Sequence, residues 1–386
     1  MPKNCRVRPP HRCRSATVAM RDALLGMLLL ASPAIADVPQ SQTAVLARGL
    51  NIAHWLRFPP SNDDAALRGY LDDAALASLK RAGFTYVRLP VGLEVVMQGR
   101  HVARDKLATV VAIVRRVQHA GLAVMIEPHP QQVGNWDFGK SDEARQALLG
   151  FWRDMAPALR PLPVALTFPE VVNEPADDDP AAWDRLQAQV LQVIRAALPQ
   201  NTVMLTGTNW SSLDGLLKVK PVADTNVIYT FHTYEPTLLA LLGFWDSGID
   251  QNMLGAHIPF PVTPGACASA IAATRQEHTR SVVQYWCSQP QNDATIATYL
   301  QRATDWGRQH SVHVAMTEFG ARGILNPPAR NAYLTAMRRG AEAQHLPWAL
   351  WALDDQMGFD RPVGNSAAAF RLSPDVNRDL GIGRRP

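Results

Sequence analysis

Short apolar runs with β-strand character recur eight times along the chain, and amphipathic segments rich in alanine and leucine lie between them. Strands that alternate with helices predict a parallel sheet. No Gly/Ser-rich or Pro-rich linker divides the series, and no G-x-G-x-x-G follows a strand, which disfavours an open doubly wound sheet. The sequence therefore predicts an α/β protein with a single (β/α)8 barrel domain. The runs are residues 48–53, 85–91, 123–128, 164–173, 202–207, 226–232, 312–318 and 347–353.

Helix boundaries are visible between the runs. Residues 64–82 place leucines near one helical face and are followed by Gly83, which predicts a helix ending in a glycine C-cap. Asp179 and Pro180 predict an N-cap followed by proline in the first turn of a helix that extends to about Ala197.

Residues 235–290 interrupt this rhythm with many prolines and glycines and little periodicity. We predict a long loop after the sixth strand, ordered as a wall beside the mouth of the barrel. It contains Cys267 and Cys287. If the protein is exported to an oxidising compartment, these two cysteines are expected to form a disulfide.

The first 36 residues have the pattern of a secretory signal peptide. A basic region precedes the apolar residues 23–31, and Ala34-Ile35-Ala36 fits an A-x-A cleavage site before Asp37. We predict an exported protein, periplasmic or secreted, whose hydrolase domain spans residues 37–386. The leader holds six Lys/Arg and one Asp, a net charge of +5 against +4 for the whole chain, which leaves −1 for the remainder. With no basic cluster and no apolar stretch of membrane length in that remainder, we expect neither nucleic-acid binding nor a membrane span.

Polar side chains end most of the predicted strands. In a (β/α)8 barrel the reactive groups lie at the carboxyl ends of the strands, where all eight meet. The two carboxylates that end the fourth and seventh runs, Glu174 and Glu318, should therefore face each other across the mouth. The remaining polar and aromatic residues at these ends are Arg88, His129, Asn173, Trp210, His232, Tyr234 and Trp351.

A facing carboxylate pair is what glycosidic cleavage requires. One carboxyl must carry a proton and the other must be ionised, and in a retaining enzyme they lie about 5–5.5 Å apart. Glu127, Glu170 and Glu235 are competing carboxylates. Glu170 shares strand parity with Glu174 but lies deeper, which predicts a structural role in the core.

The strand ends resemble glycoside hydrolase family 5, the cellulase-like retaining barrels, from about Arg48 to the C-terminus. In chain order, the motifs are Arg88, Asn173-Glu174-Pro175, His232-x-Tyr234, Thr317-Glu318-Phe319-Gly320 and Trp351. The third strand departs from the family with Glu127-Pro128-His129-Pro130, and the loop after strand six is long.

The resemblance implies a role for each matching residue. Glu174 would be the general acid/base and Glu318 the nucleophile that forms a glycosyl-enzyme intermediate. Neither a cofactor nor a metal is implied. Asn173 would bind the sugar 2-hydroxyl, and the supporting residues would be Arg88 and Tyr234 beside Glu318, His129 and His232 along the catalytic subsite, and Trp351 as its stacking floor.

Further tryptophans are candidates for sugar binding, because an aromatic face matches the C–H face of a pyranose. Trp55, Trp136 and Trp210 could extend the platform along a cleft or could simply pack. Trp152, Trp183 and Trp306 fall in helical patterns and are expected in the core.

We therefore expect a monomeric enzyme that acts on a polysaccharide or oligosaccharide, with endo-β-1,4-glucanase activity as the first hypothesis. A β-mannanase, an exopolysaccharide-cleaving β-glycanase and a non-catalytic sugar-binding protein remain alternatives. A metal-dependent hydrolase is less favoured, because the sequence has no H-x-H on the first strand and no H-E-x-x-H helix.

Overall fold

The computed structural model describes residues 38–130, 138–177, 179–362, 370–372 and 380. Its centre is an eight-stranded sheet in which all paired strands are parallel. The strands are β1 (Arg48–Asn51), β2 (Tyr86–Gly92), β3 (Ala123–His129), β4 (Thr167–Pro169), β5 (Val203–Thr206), β6 (Val227–His232), β7 (His313–Phe319) and β8 (Trp348–Leu350).

The sheet closes on itself. Its order is β4-β3-β2-β1-β8-β7-β6-β5, so β4 and β5 are its two edges. An isolated parallel bridge between Glu170 and Met204 joins these edges, and the Val171 amide donates to the Met204 carbonyl at 3.1 Å. A closed ring of eight parallel strands with intervening helices is a (β/α)8 barrel, which confirms the predicted fold.

The helices surround this ring and connect its strands. A 3-10 turn, Val164–Leu166, precedes β4. The α-helices are Gln40–Ala44, Asp64–Gly69, Asp73–Ala82, Leu93–Val96, Arg104–His119, Asp142–Leu159, Pro180–Ala197, Thr208–Ser211, Leu213–Leu216, Thr237–Leu241, Gln251–His257, Pro264–Ala273, Glu277–Cys287, Asp293–His310 and Pro327–Ala343.

The barrel interior changes from apolar to polar along the strands. Near the amino ends, one buried apolar cluster comprises side chains from most of the strands, including Tyr86, Met125, Phe168, Met204, Ile228, Ala315 and Ala349. Side chains two positions further along a strand point to the same face. In this barrel those positions are mostly polar and all buried: Arg88, Glu127, Glu170, Thr206, Thr230, Thr317 and Trp351. Apolar side chains therefore fill the end of the barrel at the amino ends of the strands, and mostly polar side chains occupy the other end.

Tyr86 fills the apolar end only because its neighbour on β1 is glycine. Gly49 lies in register with Tyr86, and a Cβ at Gly49 would approach the tyrosine ring to 2.2 Å. No larger side chain fits there without moving Tyr86.

Two predicted boundaries are confirmed. Gly83 ends a helix in the left-handed conformation, with φ 99°. The Asp179 side chain accepts from the Ala181 amide at the start of the helix Pro180–Ala197.

Other boundaries differ from the prediction. The segment 64–82 forms two helices rather than one, because Asp72 caps the Ala75 amide and starts a second helix. The predicted fourth strand, 164–173, is reduced to Thr167–Pro169 because the 3-10 turn occupies its first residues.

The segment after β6 is ordered, but it is helical rather than a loop. It holds the helices Thr237–Leu241, Gln251–His257, Pro264–Ala273 and Glu277–Cys287. The helix Pro264–Ala273 buries only Cys267 and Ala270, so its sequence carries almost no amphipathic signal. Short helices of this kind are defined by packing and by N-caps rather than by periodicity.

The expected disulfide joins the last two helices of this segment. Cys267 and Cys287 are bonded, with their Cα atoms 5.8 Å apart. Two small antiparallel hairpins lie outside the barrel: Met97–Gln98 pairs with His101–Val102, and Asp360–Pro362 pairs with Phe370–Leu372. Among the described residues, no helix combines the length and hydrophobicity that crossing a membrane requires. The proposed leader, residues 1–36, lies outside the described residues.

Removing the disulfide should destabilise the protein. The bond closes a loop with a sequence separation of 20 residues, and chain entropy predicts a loss of about 3 kcal/mol in the free energy of unfolding. The measurement is urea denaturation of the double variant Cys267→Ala/Cys287→Ala. Ser269→Ala, an exposed change on the same helix, is the control and should leave the midpoint unchanged. Equal midpoints for the double variant and the wild type would contradict the expectation.

Candidate active site

Arg88 occupies the centre of the polar end of the barrel and is fully buried. Its Nε donates to Glu170 at 2.6 Å, and one terminal nitrogen reaches the second oxygen of Glu170 at 3.3 Å. The guanidinium also donates to Asn51 at 3.1 Å, to Glu318 at 2.7 Å and to Asn173 at 2.9 Å. A guanidinium has five N–H donors, and these five contacts match that number. One side chain thus fixes residues from several different strands.

The carboxylates around Arg88 keep it charged. Burial alone would lower the pKa of the guanidinium, but the charges of Glu170, Glu127 and Glu318 raise it well above its ordinary value. Glu127 stands further off than the others, at 3.5 Å from the guanidinium. Arg88 is therefore a permanent positive charge inside the barrel.

Glu174 and Glu318 come together as the sequence predicts. Glu174 follows β4 in a left-handed backbone conformation, with φ 40°, which is uncommon for a residue other than glycine. Glu318 lies near the end of β7. Its carboxylate accepts from Arg88 and from the Tyr234 hydroxyl at 2.8 Å. One oxygen of each glutamate and a ring nitrogen of His232 all lie within 4.8 Å of one another.

The two glutamates differ in their partners. Burial raises the pKa of Glu174 to about 7, although the charges of Arg88 and Arg57 oppose the shift. Burial also raises the pKa of Glu318, against the nearby His232 and Arg88. Glu318 accepts two hydrogen bonds, one from a fixed cation, whereas the close partner of Glu174 is an imidazole. The arrangement favours a proton on Glu174 and a negative charge on Glu318.

His232 links the pair. Its Nδ1 lies 2.9 Å from Glu174 and 3.5 Å from Glu318. Burial lowers the pKa of His232 to about 4, since the Glu318 charge only partly opposes this effect and Arg88 adds to it. The imidazole is therefore neutral near pH 7. Its Nε2 is buried and has no hydrogen-bond partner within the part of the chain that the structure describes.

His129 connects the third strand to this centre. Its Nδ1 lies 2.8 Å from Glu127, and its Nε2 lies 3.1 Å from the Asn173 amide nitrogen. Its ring stacks against Trp351, with centroids 5.9 Å apart. Burial lowers the pKa of His129 well below its ordinary value, with the charges of Arg57 and Arg88 acting in the same direction.

Trp351 follows β8 and is largely buried. Its indole nitrogen donates to Asp355 at 2.7 Å, and the Arg57 guanidinium lies 5.3 Å from its ring. Trp210 is 46% exposed, and its amide donates to the carbonyl of Pro175, the residue after Glu174. The backbone of the exposed Trp210 is therefore joined to the residue that follows Glu174.

Trp55 does not extend the platform, and that interpretation of it is wrong. Its side chain is fully buried, donates to the Leu67 carbonyl at 2.7 Å and stacks on Tyr70. The loop after β1 turns back onto the helix Asp64–Gly69, so the indole packs in the core instead of facing the mouth. Trp136 lies outside the described residues. As expected for core residues, three other tryptophans are buried: Trp152, Trp183 and Trp306.

Two groups that organise the site were not singled out from the sequence. Asn51 ends β1, accepts from Arg88 and donates to the Thr317 and Leu350 carbonyls. Its position at a strand end was a usable signal. Asp354 accepts from the amides of Ala53 and His54, so it ties the loop after β1 to the loop after β8. Only the tertiary structure reveals that contact.

Comparison with known proteins relates this geometry to a family. The family model described as cellulase (glycosyl hydrolase family 5) matches residues 60–357. Endoglucanase 3 of Fibrobacter succinogenes is 24% identical over 365 residues, which covers 88% of this chain and 53% of that protein. The chain thus spans about half the length of this relative.

Solved structures share the fold. A hyperthermophilic endo-β-1,4-glucanase in complex with substrate is 21% identical with a TM-score of 0.70, and the match covers 88% of this chain and 98% of that one. Thermotoga maritima Cel5A in complex with mannotriose is 19% identical with a TM-score of 0.65, covering 88% and 97%. At these identities the likeness concerns the barrel itself.

The buried position of Arg88 leads to a stability prediction. Arg88→Met leaves several buried carboxylates without their cation, and breaking a buried pair in this way costs about 3–5 kcal/mol. The control is Arg302→Met, which removes an ion pair with Asp214 between side chains that are 45% and 65% exposed and should cost at most about 1 kcal/mol. Urea denaturation of both variants measures the difference, and equal losses would show that the Arg88 network is not a stabilising unit.

Proposed function

The chain belongs to the cellulase family, glycosyl hydrolase family 5, and from this membership and the carboxylate pair we propose that it hydrolyses a β-1,4-linked glucan internally, with retention of configuration. The observation that carries the proposal is the approach of Glu174 and Glu318, with one oxygen of each within 4.8 Å. Retaining enzymes hold the two carboxyl groups about 5–5.5 Å apart, whereas inverting enzymes need about 6.5–9.5 Å to admit a water.

In the first step the Glu318 carboxylate attacks the anomeric carbon and forms an ester bond to it. The bond to the leaving oxygen breaks as Glu174 donates its proton to that oxygen. Arg88 and Tyr234 support this role, because their hydrogen bonds keep Glu318 ionised and oriented. The product of the step is a glycosyl-enzyme and a free sugar end.

In the second step Glu174 accepts a proton from water, whose oxygen attacks the anomeric carbon and releases Glu318. The change of role has an electrostatic basis. Esterification removes the negative charge of Glu318, which lies within 4.8 Å of Glu174. Loss of a neighbouring negative charge lowers the pKa of a carboxyl, so Glu174 becomes ready to act as a base only after the first step.

The choice of substrate rests on the relatives. One of them is named an endoglucanase and another an endo-β-1,4-glucanase. Mannan remains the first alternative, because a structure of similar fold holds mannotriose. We place the enzyme outside the cytoplasm, a proposal that the leader-like N-terminus and the disulfide support.

Two other functions are outcomes of the test. A sugar-binding protein would bind an oligosaccharide without turnover. A metal-dependent hydrolase has one observation in its favour, since Glu174, His232 and Glu318 could together ligate a cation. Arg88 competes with such an ion for Glu318, at 2.7 Å.

Substitution of either glutamate should abolish activity on polysaccharide. Glu174→Gln removes general acid catalysis, worth about 100- to 10,000-fold, and Glu318→Gln removes the nucleophile. On an aryl glycoside whose leaving group needs no proton, Glu174→Gln should retain the first step while Glu318→Gln should not. Reducing-sugar release from a panel of β-glucans and mannans is measured, together with the burst of aryl alcohol that the first step releases from the aryl glycoside.

The matched control for these variants is Glu235→Gln, since Glu235 is an exposed carboxylate just after β6. It should behave as wild type. Loss of activity with a chelator, restored by added metal, would favour the metal-dependent hydrolase. If the wild type cleaves no member of the panel but still binds one, the protein is a sugar-binding protein.

The dependence of the hydrolysis rate on pH should follow the protonation of the general acid, Glu174. Glu174 is protonated below its pKa of about 7, so the rate on polysaccharide should fall as the pH rises through that value. The alkaline limb belongs to proton donation. It should therefore disappear when an activated aryl glycoside is used and its first step is followed alone. An alkaline limb that is the same for both substrates would mean that another group controls it.

A further inference from the structure

Glu127 lies beside the proposed catalytic residues but belongs to none of the proposed steps. It is fully buried on β3, close to Arg88, and its Oε2 has no hydrogen-bond partner among the described residues. Its other oxygen, Oε1, lies 2.8 Å from Nδ1 of His129. A buried carboxyl with a single short contact of this kind is costly to maintain, which indicates that the contact has a use.

The hydrogen-bond roles along this side of the site can be assigned one after another. Arg88 can only donate, so the atom of Asn173 that it contacts at 2.9 Å must be the amide oxygen. The amide nitrogen of Asn173 therefore faces His129, at 3.1 Å. That nitrogen can only donate, so Nε2 of His129 must accept and carries no proton.

The proton of the neutral His129 ring is consequently on Nδ1, which donates a hydrogen bond to Glu127. Burial lowers the pKa of His129 well below its ordinary value, in agreement with a neutral ring. With the amide oxygen held by Arg88 and one amide hydrogen held by His129, one N–H of Asn173 remains. That hydrogen interacts with Glu174 and so lies at the catalytic centre.

We propose that Glu127 is a positioning residue which, by fixing the tautomer and the ring of His129, aims the remaining N–H of Asn173, next to Glu174, at the 2-hydroxyl of the sugar being cleaved. This inference rests on the proposed glycosidase function. Glu127 acts at a distance, through two hydrogen bonds, and touches no substrate itself. Its stacked partner Trp351 is held by the same ring, 5.9 Å from His129.

The backbone supports the same arrangement. The backbone N–H of Asn173 donates to the Pro128 carbonyl at 3.1 Å, and Pro128 lies between Glu127 and His129 in the chain. Asn173 is therefore joined to the third strand by both its backbone and its side chain. Without the Glu127 carboxyl, the backbone contact would stay in place. Only the orientations of the His129 and Asn173 side chains would no longer be fixed.

The kinetic test compares two similar side chains at position 127. Glu127→Gln keeps an oxygen that can accept from Nδ1, and Glu127→Met keeps the length but has no such acceptor. Each is assayed for kcat/KM on an aryl β-cellobioside and on its analogue without the 2-hydroxyl at the ring that reacts. The ratio of the two values reports the contribution of the 2-hydroxyl.

In the wild type the ratio should favour the 2-hydroxyl substrate. Since a small misplacement of a catalytic contact costs as much as about 100-fold, Glu127→Met should lose about 10- to 100-fold on that substrate and little on the analogue. Glu127→Gln should keep the wild-type ratio. Asn173→Ala should abolish the preference, and adding Glu127→Met to it should cause no further loss in the ratio. An unchanged ratio in Glu127→Met, with both substrates slowed equally, would overturn the proposal.

A second measurement depends neither on the variants at position 127 nor on turnover. Ring nitrogen NMR of ¹⁵N-histidine-labelled wild type, with the signal assigned by its loss in His129→Gln, should show a proton on Nδ1 and none on Nε2. A proton on Nε2, or a doubly protonated ring at neutral pH, would overturn the proposal even if Glu127→Met does not fold. If the wild type hydrolyses no β-glycoside, the proposed function fails while the tautomer assignment is still decided by NMR.

Discussion

The mouth of the barrel depends on one buried cation. Removing a guanidinium from water is expensive, and the cost is recovered only when its donors meet well-placed acceptors. Arg88 meets this condition, with contacts to Glu170, Asn51, Asn173 and Glu318. These partners lie at the ends of three strands, β1, β4 and β7, so one planar fork brings distant parts of the chain to one point. A lysine has a single charged nitrogen and could not hold the same set in a fixed geometry.

The same cation decides where protons reside. Several carboxyl groups surround a single guanidinium, and burial raises the pKa of Glu127 and of Glu318. Glu170 and Glu318 make its shortest contacts. Glu174 stands outside this shell beside His232, an imidazole whose pKa burial lowers to about 4. It thus receives less help than Glu318 in carrying a charge, and this difference between the two glutamates follows from one asymmetrically placed arginine.

Side-chain hydrogen bonds also join the loops around the mouth of the barrel to each other. Asp354 accepts from the amides of Ala53 and His54 and also bonds the Tyr70 hydroxyl, which connects the two ends of the barrel sequence. Trp351 is then held between Asp355 and neighbouring rings. These contacts fix the Trp351 ring without help from a ligand, which is the preorganisation that a binding site needs.

The local sequence was enough to predict the barrel fold and which residues meet at its mouth. Strand ends in a parallel barrel must meet on one face, so reading those positions was enough to predict that Glu174, Glu318 and Arg88 lie together. Local sequence could not decide the fate of Trp55, whose burial depends on how a loop packs, nor the short helices of residues 235–290, which lack amphipathic periodicity. Nor could it assign partners to Arg88 or a role to Glu127. Hydrogen bonds between residues far apart in the chain depend on distances of a few ångströms, and those are set only when the whole barrel has closed.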